Sequence, residues 1–261
     1  MKIVRCSNES QPMPFWGIIE GDDVVGLRGA PFESIQPSGV RVSLSDVTLL
    51  APCEPSKIVA GGANYRSHLA ELGLPIPKHP MFFLKAPNTL IGHGQLVEHT
   101  EQTSQLEFEA ELAIVLKKPL RKASPQEAKA AIFGYTCAND VTARDIQFRD
   151  NSLMHMPHAK SFDTFCPVGP WIETDIADPS QLAISSMLNG SVEQISSTSD
   201  MIFPVEEMIS YFSHIMTLLP GDLILTGTPT TSGSLSVDDQ IEITIEGIGT
   251  LSNKVVASVT A

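Results

Sequence analysis

The chain has 261 residues, 42% hydrophobic and 18% charged, enough for one large core or a main domain with a small companion. Its formal net charge of -13 leaves no basic footprint for nucleic acid and no attraction to an anionic membrane. No run approaches the apolar length of a membrane span, and the N-terminus MKIVRCSNESQPMPFWG lacks the apolar segment of a secretory signal. The cysteines, Cys6, Cys53, Cys137 and Cys166, are widely spaced with no CxxC pair, which reads as reduced, buried thiols in a cytoplasmic protein.

In chain order, KIVRCS and FWGIIEGDDVVGLR read as short strands with EGDD as a turn, a small β unit over residues 1–50. The Pro-rich LLAPCEPSK separates it from a main domain over 51–261. KIVAGG is a short buried strand, and NYRSHLAELG a short helix with Asn64 near its start and Gly73 as its stop. Three prolines in LPIPKHP end that helix, and MFFLKAP and TLIGHGQLV are strand-like. SPQEAKAAIFG carries a capping box, Ser124 with Glu127, and Pro125 in the first turn. GYTCANDVTARDIQ runs from strand into turn or short helix, and PVEEMISYFSHIMTL is a helix among the C-terminal strands. Strands dominate, which makes the class α+β with mainly antiparallel sheet.

LEFEAELAIVL carries chemistry. At the strand period, Glu107, Glu109 and Glu111 share one face, which continues as apolar Ala113 and Val115 with no alternating Lys or Arg. Three carboxylates approaching an interior must be protonated or neutralised, and a hard divalent ion with oxygen ligands, Mg2+, Mn2+ or Ca2+ rather than zinc, satisfies that requirement. Asp140, just after a strand, offers a further acid. His68 and Glu71 are helix neighbours, so the carboxylate can orient the imidazole as a general base. Set against this, the ordinary reading is a solvated acidic strand face and an exposed helical histidine. Lys160 in HAKSFDT and Thr226 and Thr228 in LTGTPTTSG would suit a small 2-oxo acid beside a metal, although each alone is a surface lysine or a turn.

Taken together, KIVAGGANYRSHLAE, FLKAPNTLIGHG, LEFEAELAIVL, GYTCANDVTARDIQ, AKSFDTFCPVGPW, GDLILTGTP and IEGIGTLSNKVV resemble the successive blocks of the fumarylacetoacetate hydrolase family over residues 50–258. The resemblance implies a mixed β-sandwich roll, a homodimer, and one Mg2+ or Mn2+ per site. By motif, Glu109, Glu111 and Asp140 would be metal ligands, with Glu107 outside the ligand set. His68 and Glu71 would activate water, Lys160 would stabilise developing negative charge, and Arg144, Gln147 and Thr228 would hold the 2-oxo acid. The implied reaction is hydrolysis of a C–C bond in an acylpyruvate- or fumarylpyruvate-like 2,4-dioxo acid, which the His68–Glu71 pair favours. The same residues serve isomerases, tautomerases and decarboxylases acting on oxaloacetate or a hydroxy-dienedioate, and a non-catalytic ligand-binding protein is a remote third reading.

Three stretches depart from the family pattern. TTSG places Thr230 and Thr231 after the TGTP turn, Asp238 stands where a turn glycine is usual, and Met154, His155, Met156 and His158 precede the lysine. His155 and His158 resemble a zinc pair only loosely, because Pro157 intervenes and no cysteine is near. A surface or substrate-facing loop accounts for them better.

Overall fold

A computed structural model of the chain describes residues 1–9, 12–151, 155–230 and 233–258. It is strand-rich α+β, built on three sheets. The largest runs in the order Pro37–Ser43, Asp23–Leu27, Phe15–Glu20, Lys2–Ser7, Cys166–Glu173, Ile132–Asn139, Ala110–Leu116, Leu223–Leu225, Ile58–Gly62 and Met81–Lys85. Its N-terminal strands therefore continue the same sheet as the main unit, because Lys2–Ser7 pairs antiparallel with Cys166–Glu173. A five-stranded sheet holds Ser191–Ser197, Ala183–Leu188, Gln240–Ile245, Gly249–Ala257 and Leu96–His99. A three-stranded sheet joins Thr142–Ala143, Leu106–Glu107 and Ser234–Leu235. Pairing is mostly antiparallel, with parallel exceptions such as Leu223–Leu225 on Ile58–Gly62.

Ala110–Leu116 is buried at every position, and its two-residue period divides it between two cores. Leu112, Ile114 and Leu116 pack toward the five-stranded sheet with Ile243, Leu251 and Phe212. Ala113 and Val115 face the opposite way, against Ile58, Val168 and Leu225. The helix Val205–Ile215 covers the first core with Met208, Ile209 and Phe212. Its smaller neighbour Pro125–Ala130 is fixed by the expected Ser124–Glu127 capping box.

The expected continuous glutamate strand is interrupted. Leu106–Glu107 pairs with Thr142–Ala143, whereas Ala110–Leu116 pairs with Ile132–Asn139, so both partner strands bend at one place. At the bend the Glu109 N–H donates to the Asn139 side-chain oxygen at 3.0 Å, and the Asp140 N–H donates to the Glu109 carbonyl at 3.0 Å. This substitution of a side chain for the ladder lets the chain pass from one sheet to the next, with Glu109 and Asp140 at the corner.

The helix Arg66–Leu72 ends at Gly73, as expected, with a left-handed φ of 64° that a side chain would strain. Asn64 lies near its start, as expected, but Tyr65 holds the N-cap position and no local side chain caps the helix. Asn64 is instead buried, its amide donating to the Thr226 carbonyl at 3.0 Å and its oxygen accepting from the Phe203 N–H at 2.9 Å. Asp200 supplies the missing cap from elsewhere in the chain, accepting from the Ser67 N–H at 2.8 Å and its hydroxyl at 2.6 Å. No helix among the described residues is long and apolar enough to cross a membrane.

Candidate active site

The strand corner and the His68 helix face each other across a cleft of about 910 Å³. Its floor is formed by Glu107, Glu109, Glu111, Lys160, Arg144, Gln147 and Thr228, with Gly61, Gly62 and Gly227 bringing backbone close. His68 and Leu69 of the helix, and the following segment through Pro77, close one side.

Glu109, Glu111 and Asp140 are buried, and one oxygen from each lies within 4.8 Å of the other two. Around them, Lys160 donates to Glu109 at 2.8 Å and Asp140 at 2.6 Å. Lys85 donates to the other Asp140 oxygen at 2.5 Å. Arg144 spans Glu107 at 2.7 Å and Glu109 at 2.6 Å, and also holds the Gln147 oxygen. The Glu111 carboxylate accepts the Gly227 backbone N–H at 2.6 Å.

Burial and the neighbouring Asp140 and Glu109 charges push the Glu111 carboxyl well above its ordinary range. For Glu109 burial pulls upward too, but Lys160 and Arg144 outweigh it and lower the carboxyl to about 2. Lys160 is raised despite its burial, because Asp140 and Glu109 favour its charged form. With Glu111 protonated, three carboxylates (Glu107, Glu109, Asp140) balance three cations (Lys85, Lys160, Arg144), and ionising Glu111 leaves one net negative charge. A divalent cation would turn this to one net positive charge. Oxygen-only donors and a carboxylate raised by its like-charged neighbours fit such an ion.

His68 lines the cleft with its Nδ1 buried, 4.0 Å from Glu71 and without a hydrogen-bond partner among the described residues. Burial lowers its pKa below the usual 6.5, more than Glu109 and Glu71 raise it. The imidazole is thus neutral near pH 7, the form a general base requires.

Of the residues expected at the site, His68, Lys160, Glu109, Glu111, Arg144, Gln147 and Thr228 line the cleft, Asp140 sits behind it on Lys160, and Glu71 is on the exposed side of the helix and not among the lining residues. Thr226 does not line it either, because its hydroxyl donates to the Leu112 carbonyl at 2.9 Å and is buried. Of the departing residues, Met156 lines the cleft. His155 pairs with Asp150 at 3.5 Å and His158 packs its ring against Phe162, so the described residues bring no zinc pair together. Met154 and Thr231 lie outside the described residues. Asp238 adopts a φ of 74°, the left-handed backbone that makes glycine usual there, and its carboxylate pairs with Lys254 at 2.8 Å.

Two site residues were not singled out from the sequence. Lys85 ends an apolar strand, and a lone lysine in MFFLKAP was the available signal. Gln194 gave none: it is buried in Ser191–Ser197, where its amide donates to the Thr228 hydroxyl and the Thr230 carbonyl, both at 3.0 Å.

The strand-rich fold agrees with what the chain is similar to. Residues 57–256 match the family model of the fumarylacetoacetate (FAA) hydrolase C-terminal domain, and residues 1–52 match the Rv2993c-like N-terminal model. The chain belongs to the fumarylacetoacetate hydrolase family. It is 45% identical over 227 residues to oxaloacetate tautomerase YisK of Bacillus subtilis, covering 82% of this chain and 74% of that protein. It superposes on the 5-carboxymethyl-2-hydroxymuconate delta-isomerase of Mycobacterium smegmatis with a TM-score of 0.90 at 39% identity, over 99% of this chain and 100% of that one. The maleylpyruvate hydrolase of Sphingobium sp. SYK-6 gives a TM-score of 0.81 at 28% identity, over 99% and 100%. The chain is thus an enzyme of a family whose members include a tautomerase, an isomerase and a hydrolase.

Proposed function

We propose that this chain catalyses keto–enol tautomerisation, and the related double-bond isomerisation, of 2-oxo acids with Mg2+ or Mn2+, acting as a cytoplasmic homodimer. The observation that carries this reading is a half-buried His68 lining the cleft, its imidazole kept neutral by partial burial, opposite a floor where Lys160 is held cationic between two carboxylates. Similarity to an oxaloacetate tautomerase supports the choice of reaction. The buried free cysteines support a reducing compartment.

A cation held by Glu109, Glu111 and Asp140 would supply Lewis acidity to a chelating 2-oxo acid. Arg144, Gln147 and Thr228 bind and orient the substrate carboxylate. His68 takes the proton from the carbon next to the carbonyl, that C–H electron pair becomes the new C=C bond, and the carbonyl electron pair moves to oxygen. Lys160 faces that oxygen and stabilises its charge until the proton held by His68 is passed to it. Reversal returns the proton to carbon, so atoms and electrons balance without water or a redox partner.

A second reading is C–C hydrolysis, favoured by Glu71 on the same helix face as His68 and by similarity to a maleylpyruvate hydrolase. In the structure that pair is 4.0 Å apart, close enough to tighten into a hydrogen bond when substrate binds. NMR in D2O with Mg2+ separates the two. Oxaloacetate or acetylpyruvate should gain deuterium and interconvert faster without cleavage. Release of pyruvate plus acetate from acetylpyruvate, with no faster exchange, overturns the tautomerase reading.

A further inference from the structure

The charged groups of the cleft are confined to its floor, and the outer wall is of another character. Leu74, Ile76, Met81 and Phe148 line it while remaining 52%, 60%, 46% and 50% exposed. Large apolar side chains are seldom left so open on one concave surface unless something apolar covers them. The described lining residues include no Lys, Arg or His other than Lys160, Arg144 and His68. Residues 152–154 and 231–232, which adjoin the same loops, are Ser, Leu, Met, Thr and Ser, so they add no cation. Lys78 and Arg149 each follow a lining residue in the chain without lining the cleft themselves.

A four-carbon oxo acid does not fill such a space. At about 910 Å³ the cleft lies near the upper end of the roughly 300–1,000 Å³ that buries a drug-sized ligand. Once the substrate's 2-oxo carboxylate is anchored on the floor, its far end must lie along this wall. A second carboxylate there would lose water without gaining a cation or a donor. An alkyl or aryl group would exchange water for contact with Leu74, Ile76 and Phe148.

We infer that the outer cleft is an apolar subsite, and that the preferred substrate is a 2-oxo acid ending in an alkyl or aryl group rather than a second carboxylate. This rests on the 2-oxo acid reading above and narrows it, in a direction different from the dicarboxylate named for the oxaloacetate tautomerase relative.

The matched pair 5-methyl-2-oxohexanoate and 2-oxoglutarate, alike in shape and different in the charge of the tail, tests it. With Mg2+-loaded protein, binding is read by calorimetry and exchange of the hydrogens beside the carbonyl by NMR in D2O. The apolar member should bind and exchange with at least a tenfold advantage, about what one well-placed apolar group confers. Ile76→Asp and Phe148→Ser, at exposed positions where folding is not at stake, should each raise KM for the apolar member and narrow the advantage, with kcat moved less. Equal affinity for the two acids overturns the inference, as does a preference for 2-oxoglutarate that Lys78→Ala or Arg149→Ala abolishes. So does a wall that is covered instead by a second copy of the chain, seen as Ile76→Asp converting a dimer to a monomer with the substrate preference intact. If neither acid exchanges but the apolar one binds more tightly, the subsite stands and the tautomerase reading falls.

Discussion

Lys85, Lys160, Glu109 and Asp140 form a buried set in which each charge is held by another, so removing one exposes the rest. Lys85 is fully buried and its ammonium ends on Asp140. Lys85→Met leaves that carboxylate short of a partner, and breaking a buried pair from one side costs about 3–5 kcal/mol. Urea denaturation of the metal-free variant should show that loss, and wild-type stability would remove Lys85 from the ion cluster. Glu109→Gln should weaken Mg2+ or Mn2+ binding measured calorimetrically, and affinity equal to wild type would remove Glu109 from the ligand set.

His68→Ala should lower kcat/KM by about 10²–10⁴-fold, the range for a lost general base, while metal affinity holds. The sign of the pH dependence follows from burial. Because burial disfavours the imidazolium, the folded pKa lies below 6.5, and the base form persists as pH falls to 6.5. The acid limb of kcat/KM should therefore lie below pH 6.5 and vanish in His68→Ala. A limb above 6.5 would mean another group titrates.

At the scale of elements, the His68 helix is held by its ends and not by a long packed face. It spans Arg66–Leu72 and buries Leu69 alone among its own residues. Its N-terminal groups depend on Asp200, which comes from a 3-10 turn at Thr198–Asp200. Asp200→Ala should cost about 0.5–2 kcal/mol, the range for a lost helix cap. It should reduce kcat through misplacement of His68 while leaving metal affinity unchanged, and a variant with wild-type kcat would show that the helix holds its position without this contact. The strand corner shows the complementary case. Alternation placed Glu107, Glu109 and Glu111 on one side correctly, and all three line the cleft. Alternation could not show the bend, because it arises from Asn139 taking the Glu109 N–H, a contact made across two strands.

For the whole molecule, the net charge of -13 says little about the site, where cations nearly balance acids within a few ångströms. A cation that binds only the folded form must stabilise it. Saturating Mn2+ or Mg2+ should raise Tm, by about 2.7 kcal/mol of stability at one hundred times Kd. EDTA should reverse the shift, and a Tm indifferent to both would place no divalent ion at the triad. The increment should shrink in Glu111→Gln.

The sequence by itself determined the strand-rich class, a short helix within NYRSHLAELG with its Gly73 stop, the capping box and the acid-rich strand. These follow from local periodicity and backbone preference, which need no knowledge of distant residues. The ordered blocks also carried the family resemblance. Only the tertiary structure decided how the charges are paired. Lys85, Gln194 and Asp200 act through contacts 34 to 133 residues apart in the chain, with Asp140, Thr228 and Ser67. The same distance effect explains why Thr226 and Thr228, two residues apart, separate. One is spent on the Leu112 carbonyl and the other faces the cleft, because the strand before them is pinned to Ala110–Leu116 on one side and Ile58–Gly62 on the other.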